Sequence, residues 1–326
     1  MISRTKYPVD EATILHVFHA AGLSGATHAQ PLGDGEFNAV YLVFSEKERY
    51  VLKIAPQDSA PVMTYERDMM QREVYWYGMM REKTSIRVPN VLFSDFSRTL
   101  LPVPYFIMEY LSGEPLNKAD LTPEERSKAN AQLIAMTAEL HQIPSERFGY
   151  PQLDAYNNWY LAIRAFVTQA LHDCANKKRH SRRGERLLGW IERYQDVLQD
   201  VAGCMVNFDI WPANIIVMRV CDALSLAWID PERSFWGDPI LDFVCFAFHR
   251  PLREKPELVT TYQSVSAHPL LLTREEEIRF AIGQGYLALI METEKYYRYS
   301  PFHFGWWRNV LASGLLYRAA FAALKG

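Results

Sequence analysis

Three oxygen-bearing side chains follow one another in an order suited to work on a phosphate. Asp209 and Asn214 lie five residues apart in MVNFDIWPANIIV, with the amide just ahead of the apolar run Ile215–Val217, and Asp230 closes the next apolar run in LSLAWIDPE. Moving a phosphoryl group from a metal-bound nucleotide to a hydroxyl asks little covalent chemistry of a protein. It asks for one carboxylate to accept or orient the hydroxyl, and for oxygen ligands that hold a cation against the phosphates. D-x-x-x-x-N alone is often an accidental loop. Its weight comes from three further features in chain order. Lys53 is the only charge in YVLKIA; alone it reads equally well as an edge lysine facing water, but an ammonium there also suits α- and β-phosphates. Such a lysine needs a carboxylate to hold it, and the next segment offers Glu66 and Glu73. Glu73, abutting the apolar stripe of QREVYWYGMM, is the expected partner, and Glu66 is assigned to the solvated face. Ahead of the lysine, LGDGEFNAVYLV sets Gly33, Gly35 and Asn38 at a turn where backbone N–H groups can approach phosphates, although a lone G-x-G is more often a plain hairpin turn. Beyond it, PYFIMEYLSGEPL places Met108, Glu109 and Leu111 where an apolar strand enters a connector, and that backbone would meet an adenine edge.

The elements that must carry these groups fall into two parts. A short amphipathic helix is expected over about 10–21, then a strand pair around EKER, a helix over 61–83 with Met63, Met69, Met70, Val74, Tyr77 and Met80 as its stripe, and strands in VPNVLFSDF and VPYFIMEYL. After Leu111 the pattern turns helical, opening with a capping box at Thr122 and Glu125. Helices are expected to about 141, then over 156–175, 184–200, 239–250, 274–297 and 304–325, interrupted by one β-like island from Cys204 to Ile229. The expectation is an α+β chain. Residues 1–110 form a small antiparallel sheet lobe with one crossing helix, 111–326 form a larger helical lobe, and a hinge lies at about 109–114.

With these motifs in place, the chain resembles the aminoglycoside phosphotransferase and choline kinase superfamily, the small-molecule branch of the protein-kinase-like fold. VNFDIWPANIIV and AWIDPERSFWGDPILDFVCF carry the resemblance most specifically, and it spans about 25–250. After Asp230 stands Pro-Glu rather than Phe-Gly, and no Ala-Pro-Glu activation segment follows, which sets the chain apart from protein kinases. The resemblance implies Asp209 as catalytic base, Asn214 and Asp230 as ligands of Mg2+, and ATP as donor, with GTP possible. Asp238 and Asp242 are expected to order the loop. Relatives usually carry His-Gly where this chain has Asn207 and Phe208; Asn207 can keep the scaffold contact, whereas the bulk of Phe208 is expected to reshape the entrance. Trp211 also departs from a frequent His.

Composition narrows the partners. Net charge is -3 among 326 residues, so there is no basic footprint for nucleic acid, and four scattered cysteines give neither a disulfide scaffold nor a zinc site. The start of the chain lacks the apolar core of a signal peptide, and no run is long enough to span a membrane. A cytoplasmic monomer or homodimer acting on a small hydroxylated acceptor is expected. An antibiotic of the aminoglycoside or macrolide type is the leading acceptor; a choline, sugar or homoserine kinase, or a nucleotide-binding pseudokinase, is the alternative. Residues 231–326 hold ten Asp/Glu against eleven Lys/Arg, which gives no acidic excess for a polycation. Tyr286, Tyr296, Tyr297, Tyr299, Phe302, Phe304, Trp306 and Trp307 crowd the C-terminal segment. Most should be core at helical spacing, with one or two at the acceptor. The basic run 177–186 reads as a solvated turn, and His141 and His249 as packing or surface residues rather than ligands.

Overall fold

The computed structural model describes residues 6–33, 37–221, 223–267 and 269–325. After α1 (Glu11–Ala20) comes a five-stranded antiparallel sheet made of β1 (Ala26–Pro31), β2 (Ala39–Ser45), β3 (Arg49–Ile54), β4 (Val91–Asp95) and β5 (Tyr105–Glu109), ordered β1-β2-β3-β5-β4. Successive strand residues face opposite sides. On β3 and β5, Leu52, Ile54, Tyr105 and Ile107 pack with Ile14, Val17 and Phe18 of α1. Val51, Phe106 and Met108 face the other way, against Met70, Trp76, Tyr77 and Met80 of α2 (Met69–Lys83). Lys53, two residues from Val51, is therefore aimed at α2. The helix expected over 61–83 is broken: a 3-10 turn at Thr64–Glu66 precedes α2, and Asp68 between them adopts a left-handed φ of 52°.

The second part follows β6 (Glu114–Pro115) with α3 (Pro123–Leu140), β7 (Pro144–Ser145), α4 (Trp159–Asn176), α5 (Arg182–Arg193), α6 (Gln195–Gln199), β8 (Gly203–Val206), β9 (Ile215–Val220), β10 (Ala223–Trp228), β11 (Phe235–Gly237), α7 (Phe243–Ala247), α8 (Pro256–Val265), α9 (Arg274–Arg298) and α10 (Phe304–Lys325). Its strands make two small antiparallel sheets, β10-β9-β6 and β11-β8-β7. α3 opens on the expected capping box: Glu125 N–H donates to Thr122 Oγ1 at 3.2 Å, and Thr122 N–H donates to Glu125 Oε2 at 2.9 Å. α9 is buried on most of its circumference and forms the spine of this lobe. The segment before α2 is built into that lobe's core, because Met63, Tyr65 and Met69 cluster with Trp159, Ile163 and Phe166 of α4. Thr64 adds a tether, donating through N–H and Oγ1 to Asp173 at 2.8 Å each. Among the described residues, no helix is long and apolar enough to cross a membrane.

Candidate active site

Lys53 sits almost without exposure at the centre of a carboxylate cluster. Its Nζ donates to Glu73 Oε1 and Oε2 at 2.9 and 2.7 Å and to Asp230 Oδ1 at 2.5 Å, with Glu232 at 3.7 Å. Burial alone would favour the neutral amine, but Asp230, Glu73 and Glu232 together outweigh it and hold the ammonium above its ordinary value. Burial raises the carboxyl of Glu73 despite the adjacent ammonium. Tyr77, one turn beyond Glu73, accepts from Asp230 N–H at 2.9 Å. Asp230 is itself left-handed, with φ 57° and ψ 52°. Such conformations persist in non-glycine residues when their surroundings over-determine them, and they concentrate at functional sites.

Glu66 does not belong to a solvated face. It is buried, accepts from Met63 N–H at 2.8 Å and receives Arg298 Nη2 at 2.5 Å, because the break at Asp68 turns it away from α2 and toward the second lobe.

The loop between β8 and β9 holds Asp209 and Asn214. Asn214 Nδ2 donates to Asp209 Oδ2 at 2.8 Å and to its carbonyl at 3.0 Å. Arg233 Nε lies 3.5 Å from the other carboxylate oxygen, Oδ1. Burial, and secondarily the charge of Asp230, push the Asp209 carboxyl above the usual aspartate range, while Arg233 pulls it back. Asp242 fixes the loop from below: Asn207 N–H donates to its Oδ2 at 3.1 Å and Phe208 N–H to its Oδ1 at 2.6 Å. His141 supports Asp242 in turn, with Nε2 at 3.0 Å from Oδ2 and Nδ1 at 2.8 Å from Tyr262. Asn207 Oδ1 accepts from Asp209 N–H at 3.0 Å. The expectation that Phe208 reshapes the entrance is corrected. Its φ is +55°, and its buried ring stacks on Tyr286 at 5.6 Å and meets Phe235 at 5.5 Å, inside the core beneath the loop. Asp238 caps the turn at Ile240 N–H and pairs with Arg279 at 3.4 Å.

The remaining expected site residues line the first lobe. Gly33 takes a φ of +72° that suits glycine, and Gly35 lies outside the described residues. Asn38 is buried; its Nδ2 donates to Glu232 at 3.2 Å, and among the described residues its Oδ1 has no partner. Met108 lies in β5 against Val51 and Val91, Glu109 uses its carboxylate on Arg87, and Leu111 packs with Ile216 and Ala227. Among the described residues the Leu111 N–H makes no hydrogen bond. Of the C-terminal aromatics, Tyr286, Tyr297 and Tyr299 are core, whereas Phe302, Phe304 and Trp307 stand exposed.

A divalent cation fits this donor set. Glu73, Asp230 and Glu232 bring carboxylate oxygens within 4.8 Å of one another, and because both Glu73 oxygens are held by Lys53, Asp230 and Glu232 are the ones with oxygens to give an ion. Asn214 spends its Nδ2 on Asp209 and keeps Oδ1 as a ligand atom. Carboxylate and carbonyl oxygens are what a hard ion such as Mg2+ takes.

Residues that the sequence reading did not single out complete the site. Arg233 also binds Glu294 at 2.9 Å, and Arg298 binds the same Glu294 at 2.8 Å. Glu294 and Arg298 are an i, i+4 pair in the C-terminal turns of α9, and that pattern was their only sequence signal. Arg72, fully buried, left no such signal.

The sequence profile of the Phosphotransferase enzyme family matches residues 28–272. No curated protein sequence matches the chain. Among solved structures, a Ralstonia eutropha protein provisionally assigned as an aminoglycoside phosphotransferase is similar at 13% identity and TM-score 0.65, over 95% of this chain and 98% of that one. The choline kinase LicA from Streptococcus pneumoniae is similar at 15% identity and TM-score 0.61, over 97% and 98%. The aminoglycoside phosphotransferase APH(2")-IIa, solved as a ternary complex with streptomycin and ATP, is similar at 18% identity and TM-score 0.61, over 95% and 97%. At these identities the likeness speaks to the fold.

Proposed function

The chain belongs to the Phosphotransferase enzyme family, and from that premise we propose that it transfers the γ-phosphoryl group of Mg-ATP to a hydroxyl of a small molecule, an antibiotic or a hydroxylated metabolite. The observation that carries this reading is the convergence of Lys53, Glu73 and Asp230 on one side and Asp209 with Asn214 on the other. Lys53, held by Glu73, is placed to receive the α- and β-phosphates. Asp230 and Asn214 would hold Mg2+, which supplies charge neutralisation at the phosphates. Asp209 accepts the proton of the incoming hydroxyl, and Asn214 and Arg233 fix the direction of its two oxygens. The backbone of Glu109 and Leu111, above Met108, is proposed to meet the adenine edge, with 109–114 as the hinge between lobes of 1–110 and 111–326. Gly33, Gly35 and Asn38 are proposed to lie over the phosphates. Against the alternative of a nucleotide-binding pseudokinase, the active reading is supported by Asn207 Oδ1 accepting from the Asp209 N–H and by the Phe208 ring lying in the core.

The test is ADP release from Mg-ATP across a panel of hydroxylated acceptors, with Asp209→Asn as control. Acceptor-dependent release lost in the variant is expected; release that the substitution leaves unchanged would overturn the assignment of Asp209.

A further inference from the structure

From Asp209 runs a row of charges in strict alternation: Asp209, Arg233, Glu294, Arg298, Glu66. Every carboxylate oxygen in this chain of charges already has a partner within the protein. Asp209 gives Oδ2 to Asn214 and Oδ1 to Arg233. Glu294 gives Oε1 to both guanidinium groups and Oε2 to Asn309 at 3.4 Å. Glu66 gives Oε1 to Arg298 and Oε2 to the Met63 N–H. An ammonium on an acceptor would find oxygens whose charge is already offset by a guanidinium, and would approach the fixed cation of Arg233 as it neared Asp209. Like charge brought into a desolvated site is a strong means of rejection. Arg233 uses Nε and Nη2 in its pairs, and among the described residues its Nη1 makes no hydrogen bond. That leaves a donor beside the catalytic carboxylate that suits an oxygen.

Resting on the phosphotransferase reading above, we infer that the acceptor presents oxygens and no ammonium beside its reacting hydroxyl, so that its class is a neutral polyol or a sugar acid rather than an aminoglycoside or a choline-like amine, and that Arg233 sets this selectivity. The ion pairs of Arg233 are buried and screened little by salt, so the preference is built into the fold rather than into a surface field.

The experiment measures kcat and KM with Mg-ATP for four acceptor sets, namely neutral sugars, sugar acids, aminoglycosides and choline. Neutral sugars or sugar acids are expected to lead the amines by at least ~10-fold in kcat/KM, and Arg233→Gln is expected to narrow that ratio toward unity while lowering kcat and moving the acid limb of the pH profile upward. Arg233→Lys, which keeps the charge without the fork, should retain the exclusion of amines and lose part of the rate. Where thermal melting shows Arg233→Gln to be unfolded, the double variant Arg233→Gln with Glu294→Gln removes both charges of the pair and serves in its place. Preference of the native protein for an amine, or an acceptor ratio unmoved by loss of Arg233, would overturn this inference and leave the phosphotransferase reading standing. Absence of acceptor-dependent ADP release in all four sets would remove both.

Discussion

Asp209 is asked to be a base while buried among other acids, and its neighbours divide that task. Burial raises its carboxyl and Arg233 restrains the rise. As kcat requires the ionised form, the rate should climb with pH through a midpoint above the model-peptide value of about 3.9. For stability the sign is opposite. A carboxyl whose folded value is raised contributes fully below its unfolded value, and that contribution is lost as pH rises through the folded one. Asp209→Asn, which removes the buried charge, should therefore lower kcat by ~10²–10⁴-fold while its melting temperature relative to the native protein improves from pH 4 to pH 7. Parallel pH-rate and thermal-melting series check both halves. A native acid limb at the ordinary aspartate position would refute the environment described for this carboxylate. Lys53→Met tests the other side: it strands Glu73, Asp230 and Glu232 without a cation, and nucleotide affinity and turnover should both fall.

At the scale of elements, the loop after β8 shows how a conformational cost is met by packing. A left-handed conformation costs a non-glycine residue roughly 1–2 kcal/mol, while truncating a buried phenylalanine costs roughly 3–5 kcal/mol. Phe208→Gly should thus relieve the smaller term and lose the larger, for a net loss of ~2–3 kcal/mol by denaturant midpoint. A stabilised variant would mean that the stacking on Tyr286 and Phe235 contributes little. Gly113 gives a cleaner steric case, because a Cβ there would lie 2.3 Å from the Val217 carbonyl oxygen, a backbone atom of β9 that cannot swing aside. Gly113→Ala should pry the connector from β9 and raise the KM for nucleotide, since Leu111 lies just before it. The same scale explains what the sequence could and could not tell. The β-branched and aromatic runs YVLKIA and YFIME, the capping box at Thr122 and the long helical patterns were all legible, because each is a local pattern. β1, whose ATHAQP lacks alternation, was not, nor were the two-residue strands β6 and β7 or α8, which tertiary contacts define. Glu66 misled because helical periodicity was carried across Asp68, whose left-handed turn no local rule announces. Arg233, Glu294 and Arg298 come from α9 and the turn after Asp230, and only the packing of α9 brings them to Asp209.

At the scale of the molecule, α2 belongs to the first lobe by its contact with the sheet and to the second by its side chains. Three of them reach alternate residues of one segment. Tyr77 accepts from Asp230 N–H, Arg72 Nε donates to the Glu232 carbonyl at 2.8 Å, and Trp76 Nε1 donates to the Ser234 carbonyl at 3.0 Å. Arg72 also donates to the Tyr65 carbonyl at 2.7 Å and stacks 4.4 Å over Tyr150, so one guanidinium ties together α2, the turn before it and the segment that carries Asp230. Burial lowers its affinity for the proton and the nearby oxygens resist that change. The Lys53–Glu73 pair and Asp230 are thereby tied together by hydrogen bonds from α2 as well as by the ammonium itself. Arg72→Met should break this tie with little change in volume. Two hydrogen bonds from a charged donor are lost, at about 1.5–3 kcal/mol each, but removing a buried charge returns part of that. The net loss of stability should be about 2 kcal/mol, with a larger effect on function: amide hydrogen exchange should quicken in both α2 and 230–234, and the KM for nucleotide should rise more than kcat falls. Arg72→Lys, which cannot serve both carbonyls at once, should fall between the two. If exchange quickens in α2 while 230–234 stays protected, the two elements are coupled through the apolar core alone, and the guanidinium is a passenger.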